Sequence, residues 1–499
     1  MYIHQHPNEH KHIIPDSVPG FPFHSLVSHP SSLVSRLWPF TSFKAQPFGS
    51  IMPMHAWSRF SPFMVVVFFL LLTACSDFIH PVKSTPEPTE YSFNYWLLQR
   101  TYLYEDELPN LAEDGDSVQD LYKTLKDPYT SYIPPSKSET AKQQLSTSVI
   151  IGGDIGMRYY NYKDLEHPIL ISRVFPKAPA GRAGVPRYGN IISANEIELT
   201  GERAAITYDS ILSYSENVNI RVAYKGDTTL YKLKKETVFA PTVFVDTLYR
   251  DSAKGYPGIV FVTIEIFKDS TENLKFGTYG ELKDYLDSTT SDKRVRVLDL
   301  RGNPGGIVRQ CINVADLFVS KGTLSTRHSH SLTADGGSTH YTTVETAHPG
   351  DPGETGNYII LADRTSASCA EIFIAAVTEL TDIPFIGTRT YGKGVGQTPY
   401  DTYAGGIAKI TNFEFFTPKG NSYNQKGIFP KYECNDVIGE SCAAQIAKKI
   451  YGVKIPKQET VLAKYGTEIK EQTVTELEGG AIIWTNENNF LKAFEESNR

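Results

Sequence analysis

The sequence predicts a multidomain α/β protein, and three observations along the chain support this prediction. Residues 256–435 alternate strand-like and helix-like segments, which is typical of an α/β core. Residues 146–240 hold short β-type runs separated by Gly and Pro. Residues 91–145 carry apolar residues at helical spacing. The chain has 499 residues, which is long enough for about two to four domains.

The predicted elements of the α/β region follow from the spacing of their apolar residues. A short continuous apolar run indicates a buried strand, whereas apolar residues three and four apart indicate a helix. The predicted strands cover residues 258–267, 295–300, 358–362 and 383–386, and the predicted helices cover residues 276–288, 307–319 and 370–380.

The regions on either side of this core have other patterns. Asp127-Pro-Tyr-Thr130 ends the helical region, because Pro128 cannot continue a helix. In the β-type region, Gly152–Met157 is a glycine-bearing loop before a strand, and a short helix is predicted at 179–183. The predicted β-type runs are 149–151, 167–172, 190–192 and 218–223, and residues 437–499 are predicted as a helical appendage with a polar tail.

Composition excludes several classes of protein. The chain carries 49 basic and 56 acidic residues, and this negative balance argues against a general nucleic-acid binder. Five cysteines are too few for a disulfide scaffold of this size. The proportions also exclude a collagen, a coiled-coil rod and a wholly disordered chain.

The first 75 residues are predicted to be a targeting segment. Met64–Leu72 is a run of nine apolar residues, which is too short to span a bilayer but long enough for a secretory signal. Arg59 precedes the run, and small residues lead to Cys75. Residues 1–51 are rich in His and Pro, and Met52 or Met54 would start a signal of normal length, so the true start stays open.

Leu72-Thr-Ala-Cys75 resembles the lipobox of bacterial lipoproteins. The resemblance implies that the Cys75 thiol is acylated and becomes the first residue of an exported protein held to the membrane by acyl chains. Which side of the membrane it faces stays open, and an ordinary buried cysteine is the competing interpretation. Residues 76–90, rich in Pro, Thr and Glu, are predicted as a flexible tether.

Three segments of the α/β region carry candidate catalytic groups. Asp299–Gly306 is a glycine turn between a strand and a helix, where backbone N–H groups can hold an anion. Thr365–Glu371 places Ser368 at a helix start, where free N–H groups stabilise negative charge. In Tyr391–Gln397, Lys393 lies between two glycines, and burial could lower its pKa enough for a general base. Each segment alone also fits a plain turn, an N-cap or a solvated lysine.

Together the three segments resemble the S41 family of C-terminal processing peptidases. In that family a helix-starting serine is the nucleophile and a lysine about 25 residues later, in Y-G-K-G, is the base. The resemblance assigns these roles to Ser368 and Lys393, and it assigns Gln397 as the residue that completes the site. The oxyanion donors it implies are the N–H of Gly305 or Gly306 and the N–H of Cys369.

The resemblance also implies the architecture of the rest of the chain. It predicts a crotonase/ClpP-like α/β protease core at 241–436 with an inserted PDZ-like β domain at 146–240 and an N-terminal helical region. Asp127–Thr130 is similar to the family's D-P-H/Y-S/T signature. The loop implied to bind a peptide carboxylate contains Gly152, Gly153, Ile155 and Gly156.

The sequence departs from the family pattern at a few positions and leaves other chemistry open. The usual A-S-A-S-E becomes Ala367–Glu371 with Cys369 after the serine, and a Ser-His-Asp triad or a thiol nucleophile is not excluded by spacing. His328-x-His330 could suggest a metal, but the stretch is interpreted as a solvated loop, so no metal is predicted. Cys311 is predicted as core, and Cys434 with Cys442 as either a local disulfide or two free thiols.

The function expected from these residues is that of an exported, lipid-anchored serine endopeptidase with a Ser-Lys pair. It would cleave proteins recognised at an apolar C-terminus and would need no cofactor. Two alternatives are a non-catalytic peptide-binding lipoprotein on the same fold and a crotonase-like acyl-CoA enzyme. The sequence gives neither the physiological substrate nor the oligomeric state.

Overall fold

The computed structural model of the protein describes residues 89–111, 115, 117–161, 166–333, 336–434, 439–456 and 474–476. The predicted signal segment, Cys75 and nearly all of the predicted tether therefore lie outside the described residues. The same holds for most of the tail after residue 456. Within the described ranges, none of the helices has the length and apolar character that a membrane span needs.

In its described residues the N-terminal region combines three α-helices and one 3-10 turn (Glu105–Glu107) with one strand, whereas the sequence predicted helix alone. The first helix begins after Thr89, whose hydroxyl accepts a hydrogen bond from the Ser92 N–H at 3.0 Å. The strand was missed because its partner lies about 280 residues later in the chain, beyond the reach of a local pattern. The elements are α1 (Glu90–Thr101), α2 (Val118–Lys123), β1 (Ser131–Ile133) and α3 (Pro135–Ser146).

The next region is a β domain with its own apolar core. Five of its strands form an antiparallel path in the order β3-β4-β5-β7-β8, β6 pairs with β5, and β2 pairs separately with β9. Two short helices cover this sheet. The elements are β2 (Val149–Asp154), β3 (Met157–Asn161), β4 (Ile169–Val174), α4 (Pro179–Arg182), β5 (Asn190–Ala194), β6 (Ile197–Glu198), α5 (Ala204–Tyr214), β7 (Asn217–Tyr224), β8 (Asp227–Lys234) and β9 (Glu236–Phe239).

The remaining elements form the α/β core, in which strands and helices alternate as predicted. In chain order they are β10 (Val243–Asp251), β11 (Tyr256–Ile264), α6 (Gly277–Ser288), β12 (Arg296–Asp299), α7 (Val308–Asp316), β13 (Thr323–Leu332), β14 (Ser338–Thr346), β15 (Tyr358–Ala362), α8 (Cys369–Leu380), β16 (Phe385–Gly387), β17 (Val395–Asp401), β18 (Ile407–Phe416), β19 (Tyr432–Cys434), α9 (Gly439–Tyr451) and β20 (Val474–Glu476).

Two sheets organise this core. The larger has the order β10-β11-β12-β15-β16-β19-β20, with parallel pairing from β11 to β19 and antiparallel strands at both edges. Helices α6, α7 and α8 pack on one face, and α9 packs on the other. The second sheet has the order β1-β18-β13-β14, with β17 also paired to β18. The parallel strands end at the edge where ligands bind in open α/β sheets.

The β domain is joined to the core by ion pairs and by an apolar cluster. Asp246 on β10 pairs with Arg173 and Arg187, and Glu265 pairs with Arg158. The cluster contains Phe175, Ala178, Val238 and Ala240, against which Ile150 and Phe244 pack. This multidomain α/β architecture confirms the predicted fold class, whereas the predicted domain boundaries and the PDZ-like character of the β domain stay predictions.

Candidate active site

Ser368 lies at the junction between β15 and α8, where the chain turns sharply. Its φ angle is +56°, a positive value that residues other than glycine adopt rarely and mostly at constrained sites. Helix α8 is held in the interior, since every residue from Cys369 to Val377 is at most 2% exposed. The serine itself is only partly buried. The rigid helix therefore presents its first turn, with a strained serine, at the edge of the core.

The glycine turn after β12 packs directly against this serine. A side chain at Gly305 would come within 2.8 Å of the Ser368 Cβ and 2.9 Å of the Cys369 nitrogen, so only glycine fits there. Asn303 fixes the turn, because its Nδ2 donates to the Ile264 carbonyl at 2.8 Å and its main-chain oxygen accepts from the Ala367 N–H at 2.9 Å. The turn and the serine thus share one close-packed junction.

The backbone N–H groups at this junction differ in their partners. The Gly305 N–H donates to Oδ1 of Asn303 at 2.8 Å and is therefore already in use. Within the described part of the chain, neither the Gly306 N–H nor the Cys369 N–H has an acceptor. Of the three implied oxyanion donors, the structure leaves Gly306 and Cys369 available.

Lys393 lies in the loop before β17 and is largely buried. Its Nζ donates to Oε1 of Gln397 at 3.0 Å and lies 4.6 Å from the centre of the Tyr129 ring. Burial, followed by the nearby positive charge of Lys409, lowers the pKa of Lys393 to about 8. Gln397 is itself oriented, because its Nε2 donates to the Thr411 hydroxyl at 3.1 Å. This is the environment that a general-base lysine needs.

The Asp127–Thr130 turn supports the lysine from the N-terminal region. The Asp127 carboxylate accepts the N–H groups of Tyr129 and Thr130 as well as the Thr130 hydroxyl. The Thr130 hydroxyl in turn accepts from the Thr411 N–H at 2.9 Å. The turn therefore brings the Tyr129 ring to Lys393 and fixes the residue that orients Gln397.

Glu371 is a further part of the site that the sequence reasoning did not single out. It is fully buried, and its carboxylate accepts from the Ser368 N–H at 2.9 Å, the Gly392 N–H at 2.6 Å, the Lys393 N–H at 2.8 Å and the Thr390 hydroxyl at 2.5 Å. Burial raises the pKa of Glu371 to about 7, although all four donors favour the charged form. A Glu three residues after a helix-starting serine fits a capping box, and this spacing could have identified it.

The side chains of Ser368 and Lys393 are not bonded to each other. Helix α8 begins with a capping box between Ser368 and Glu371, and the Lys393 amine donates to Gln397 rather than to the serine. The loops that carry them are nevertheless tied together by Glu371. Catalytic hydrogen bonds are often long without substrate and tighten when it binds.

Two disulfides hold the elements around the core. Cys369, next to Ser368, is bonded to Cys311 on α7, the helix that follows the glycine turn. Cys311 is buried as predicted, but its bond to Cys369 was not foreseen, because 58 residues separate the two. This bond leaves Cys369 without a free thiol. Cys434 and Cys442 are also bonded, which selects the disulfide among the two predicted states.

The loop predicted to bind a peptide carboxylate is occupied by a side chain of its own. The Gly156 N–H donates to Oδ1 of Asp154 at 2.5 Å. Burial raises the pKa of Asp154, while the N–H groups of Gly156, Met157 and Ile155 lower it. The Ile155 side chain is fully buried in the β domain, whereas Gly152 and Gly153 are exposed or partly exposed with positive φ angles. In this arrangement the loop binds its own carboxylate.

The interpretation of His328-x-His330 as a solvated loop is wrong. Both residues lie in strand β13 and on the same face of it, yet His328 is exposed and His330 is only 1% exposed, because the segment that carries Tyr102 lies against His330. The loop interpretation failed because this strand consists mainly of Ser, Thr, His and Arg and has few apolar residues. No hydrogen bond joins any of the described histidines to Ser368, and His80 lies outside the described residues.

Comparison with known proteins identifies the core. Residues 258–434 match the model of peptidase family S41. The chain carries an S41 peptidase domain. The "Probable CtpA-like serine protease" of Staphylococcus aureus strain MSSA476 is 26% identical over 407 residues, which are 79% of this chain and 73% of that protein. The carboxy-terminal processing protease CtpA of Bacillus subtilis strain 168 is 26% identical over 327 residues, which are 64% of this chain and 63% of that protein.

A solved structure extends the similarity to the fold. A Bacteroides fragilis NCTC 9343 protein described as an S41 protease superimposes with a TM-score of 0.50 at 15% identity, covering 72% of this chain and 97% of the other. The match to the S41 model, with the CtpA relatives, shows that this domain is that of a serine-type peptidase acting on proteins or peptides, as the sequence predicted. The roles of individual residues stay predictions.

Proposed function

We propose that the S41 domain belongs to an exported, lipid-anchored endopeptidase in which Ser368 is the nucleophile and Lys393 is the general base. The observation that carries the proposal is the Glu371 carboxylate, which accepts from the backbone N–H of both residues. One buried group thus fixes the nucleophile loop relative to the lysine loop. Such positioning is a large part of what an acyl-transfer site requires.

The pKa of Lys393 is low enough for the proposed role of general base. With a pKa of about 8, about a tenth of the amine is neutral at pH 7, compared with less than a thousandth for an ordinary lysine. The neutral amine has one lone pair, and the hydrogen bond from Nζ to Gln397 restricts the directions in which it can point. Binding of substrate would then close the gap between Nζ and the serine hydroxyl.

The reaction proceeds in two halves. The Ser368 oxygen attacks the peptide carbonyl carbon while Lys393 takes the hydroxyl proton, and the carbonyl oxygen becomes an oxyanion held by the Gly306 and Cys369 N–H groups. When the intermediate collapses, the C–N bond breaks and Lys393 delivers its proton to the leaving amine. Water then attacks the acyl-enzyme ester with Lys393 again as the base, which releases the new carboxylate and restores the serine.

The substrate and the location are part of the same proposal. The S41 relatives are processing proteases, so we infer that this peptidase cleaves proteins near an apolar C-terminus that the β domain helps to present. Cys75 in Leu72-Thr-Ala-Cys75 would carry the lipid anchor. Anchoring by two or more acyl chains is stable, whereas a single chain binds a membrane only marginally.

The proposal is tested with the purified full chain and a loosely folded protein that ends in apolar residues. Fragments are followed by mass spectrometry for the parent, for Ser368→Ala, for Lys393→Ala and for the exposed-lysine control Lys321→Ala. We expect the two site variants to lose at least about 10³-fold in rate, and the control to cleave like the parent. Cleavage retained by Ser368→Ala would refute the nucleophile assignment, and no cleavage by the parent would favour a peptide-binding scaffold.

The anchor needs a separate measurement. Cells expressing the chain are fed a fatty-acid analogue that can be labelled, and incorporation is compared between the parent and Cys75→Ala. We expect labelling of the parent alone. Equal labelling of both proteins, or of neither, would remove the lipid anchor from the proposal and leave the peptidase assignment untouched.

A further inference from the structure

Three side chains that bind metals in other proteins meet beside the second sheet of the core. His330 on β13 and His340 on β14 are directly opposite each other in the strand register. Their rings stack with centres 4.3 Å apart and planes inclined by 14°. Glu105, in the 3-10 turn after α1, places its Oε1 2.9 Å from Nε2 of His340 and 3.5 Å from Nδ1 of His330. We call these three residues the His-His-Glu cluster.

The separations within the His-His-Glu cluster fit the ligands of one small metal ion. One potential ligand atom from each residue lies within 4.8 Å of the others. In a tetrahedral zinc site the metal–ligand distances are about 2.0–2.2 Å, so the ligand atoms lie roughly 3.3 Å apart. Two imidazoles and a carboxylate also form a known three-ligand zinc set that leaves the fourth position for water.

The cluster is also held in place by the surrounding structure. His330 is only 1% exposed, and Asn412 Nδ2 donates to its main-chain oxygen at 3.0 Å. Nδ1 of His330 lies 3.1 Å from the Tyr102 carbonyl oxygen, a contact that holds the ring beside Glu105 and His340. Contacts of this kind orient imidazole ligands in metal sites. His340 and Glu105 are exposed and provide a path for an ion to enter.

We propose that the His-His-Glu cluster binds a divalent transition-metal ion, with Zn²⁺ as the ion that its ligands fit best. Imidazole nitrogen and carboxylate oxygen suit zinc, while a site for Mg²⁺ or Ca²⁺ would be built from oxygen ligands. Because the metal competes with protons for the imidazoles, its affinity falls as the pH falls. The proposal concerns a site separate from Ser368 and does not depend on the peptidase assignment.

Metal binding at this place would link two parts of the chain that are distant in sequence. Glu105 follows α1, whereas the two histidines belong to the β13–β14 hairpin of the core. Between Tyr102 and Glu105, the Leu103 N–H donates to the Thr411 carbonyl at 2.9 Å. The ion would therefore clamp this connecting segment to the core beside the strand whose Thr411 orients Gln397.

The test uses the full chain freed of metal with a chelator and titrated with Zn²⁺ alone in a calorimeter. The variants are His340→Ala and Glu105→Gln, which alter exposed side chains. The matched control is His348→Ala, because His348 is another exposed histidine whose Nδ1 meets a carboxylate, that of Asp316 at 3.1 Å, without a second histidine. Melting temperature with and without Zn²⁺ is the second readout.

We expect each cluster variant to weaken one Zn²⁺ site by at least about tenfold and to lose the corresponding shift in melting temperature. The control variant His348→Ala should bind Zn²⁺ as tightly as the parent and should show the same shift in melting temperature. The first 80 residues contain eight further histidines, so the difference between variants, and not the number of ions bound, is decisive. If Zn²⁺ does not bind the parent, or binds His340→Ala and Glu105→Gln as it binds the parent, the proposal is wrong.

Discussion

The Glu371 carboxylate accepts a hydrogen bond from the backbone N–H of Lys393 at 2.8 Å. The same carboxylate oxygen, Oε2, also accepts from the N–H of Ser368. Because the carboxylate bonds to main-chain N–H groups, it fixes the Ser368 loop relative to the Lys393 loop independently of the conformation of their side chains. It is a positioning residue, since none of its contacts reaches the expected path of the reacting atoms.

Glu371→Gln should destabilise the protein and slow it as a peptidase. An amide offers one acceptor oxygen where the carboxylate accepts four donors, so buried N–H groups lose their partners at a cost of about 1–3 kcal/mol in the free energy of unfolding. The control is Glu379→Gln on the same helix, whose carboxylate accepts only the Lys419 N–H among the described backbone donors. Denaturant unfolding and kcat/KM are measured for both. If Glu371→Gln matches the control in both quantities, Glu371 does not position the site.

The peptidase rate should depend on pH through Lys393. The lysine acts as a base only when neutral, and its pKa is lowered to about 8. We therefore expect kcat/KM to be low at about pH 6, to rise through a midpoint near pH 8 and to level off above it. Initial rates across this range check the prediction. A profile that falls between pH 7 and pH 9 would contradict the lysine as base.

Lys409→Gln tests why the midpoint of the pH–rate profile lies near pH 8. Lys409 is the second largest cause of the lowered pKa of Lys393, after burial. Removing its positive charge makes protonation of Lys393 easier, so the pKa of Lys393 rises and the midpoint moves to higher pH. The exposed-lysine variant Lys321→Gln makes the same charge change and should leave the midpoint in place. A midpoint that moves to lower pH in Lys409→Gln would refute this account.

The Cys311–Cys369 disulfide should matter for both stability and rate. It joins α7, which directly follows the turn that contains Gly306, to α8, whose first residue is Cys369, so it links the segments that carry the two proposed oxyanion donors. Replacing both cysteines by Ala should lower the free energy of unfolding by about 2–4 kcal/mol and lower kcat as well. The comparison is the double Ala variant of Cys434 and Cys442, which should lose stability alone. Equal effects of the two double variants on kcat would contradict a role in the site.

Asp154→Ala should open the glycine loop of the β domain. With the carboxylate removed, the N–H groups of Ile155, Gly156 and Met157 can hold the carboxylate of a peptide. In the Ser368→Ala background, a fluorescent apolar peptide with a free C-terminus should bind Asp154→Ala at least about tenfold more tightly, and the amidated peptide should not gain. Asp154→Asn keeps an acceptor in place and is the control. No gain for the free acid would mean that the loop is not a carboxylate site.

The parts of the fold that the sequence predicts well depend on local signals. Strand β15 has the predicted bounds, since Tyr358–Ala362 is a continuous buried apolar run. Ser368 and Lys393 are recognisable because their loops are short, glycine-bearing and separated by a characteristic distance along the chain. In both cases, residues near one another in sequence carry the information.

The parts that were missed depend on contacts between distant residues. Strand β1 exists because Ser131 to Ile133 pair with Lys409 to Ile407, and nothing in the Ser-Tyr-Ile triplet alone indicates a strand. The burial of His330 results from the Tyr102 segment lying over β13. The pairing of Cys311 with Cys369 was likewise not indicated by any local pattern. In each case the partner, and not the residue itself, determines the outcome.

The hydrogen bond from the Thr411 N–H to the Thr130 hydroxyl joins residues 281 positions apart. A growing chain makes Thr130 early and Thr411 late, and contacts of such long range are slow to form. Until they form, the Tyr129 ring cannot cover Lys393, and a lysine in water stays protonated. A half-folded chain would therefore carry an inert nucleophile. The peptidase would become active only after the Thr130 turn and the strand that carries Thr411 had met.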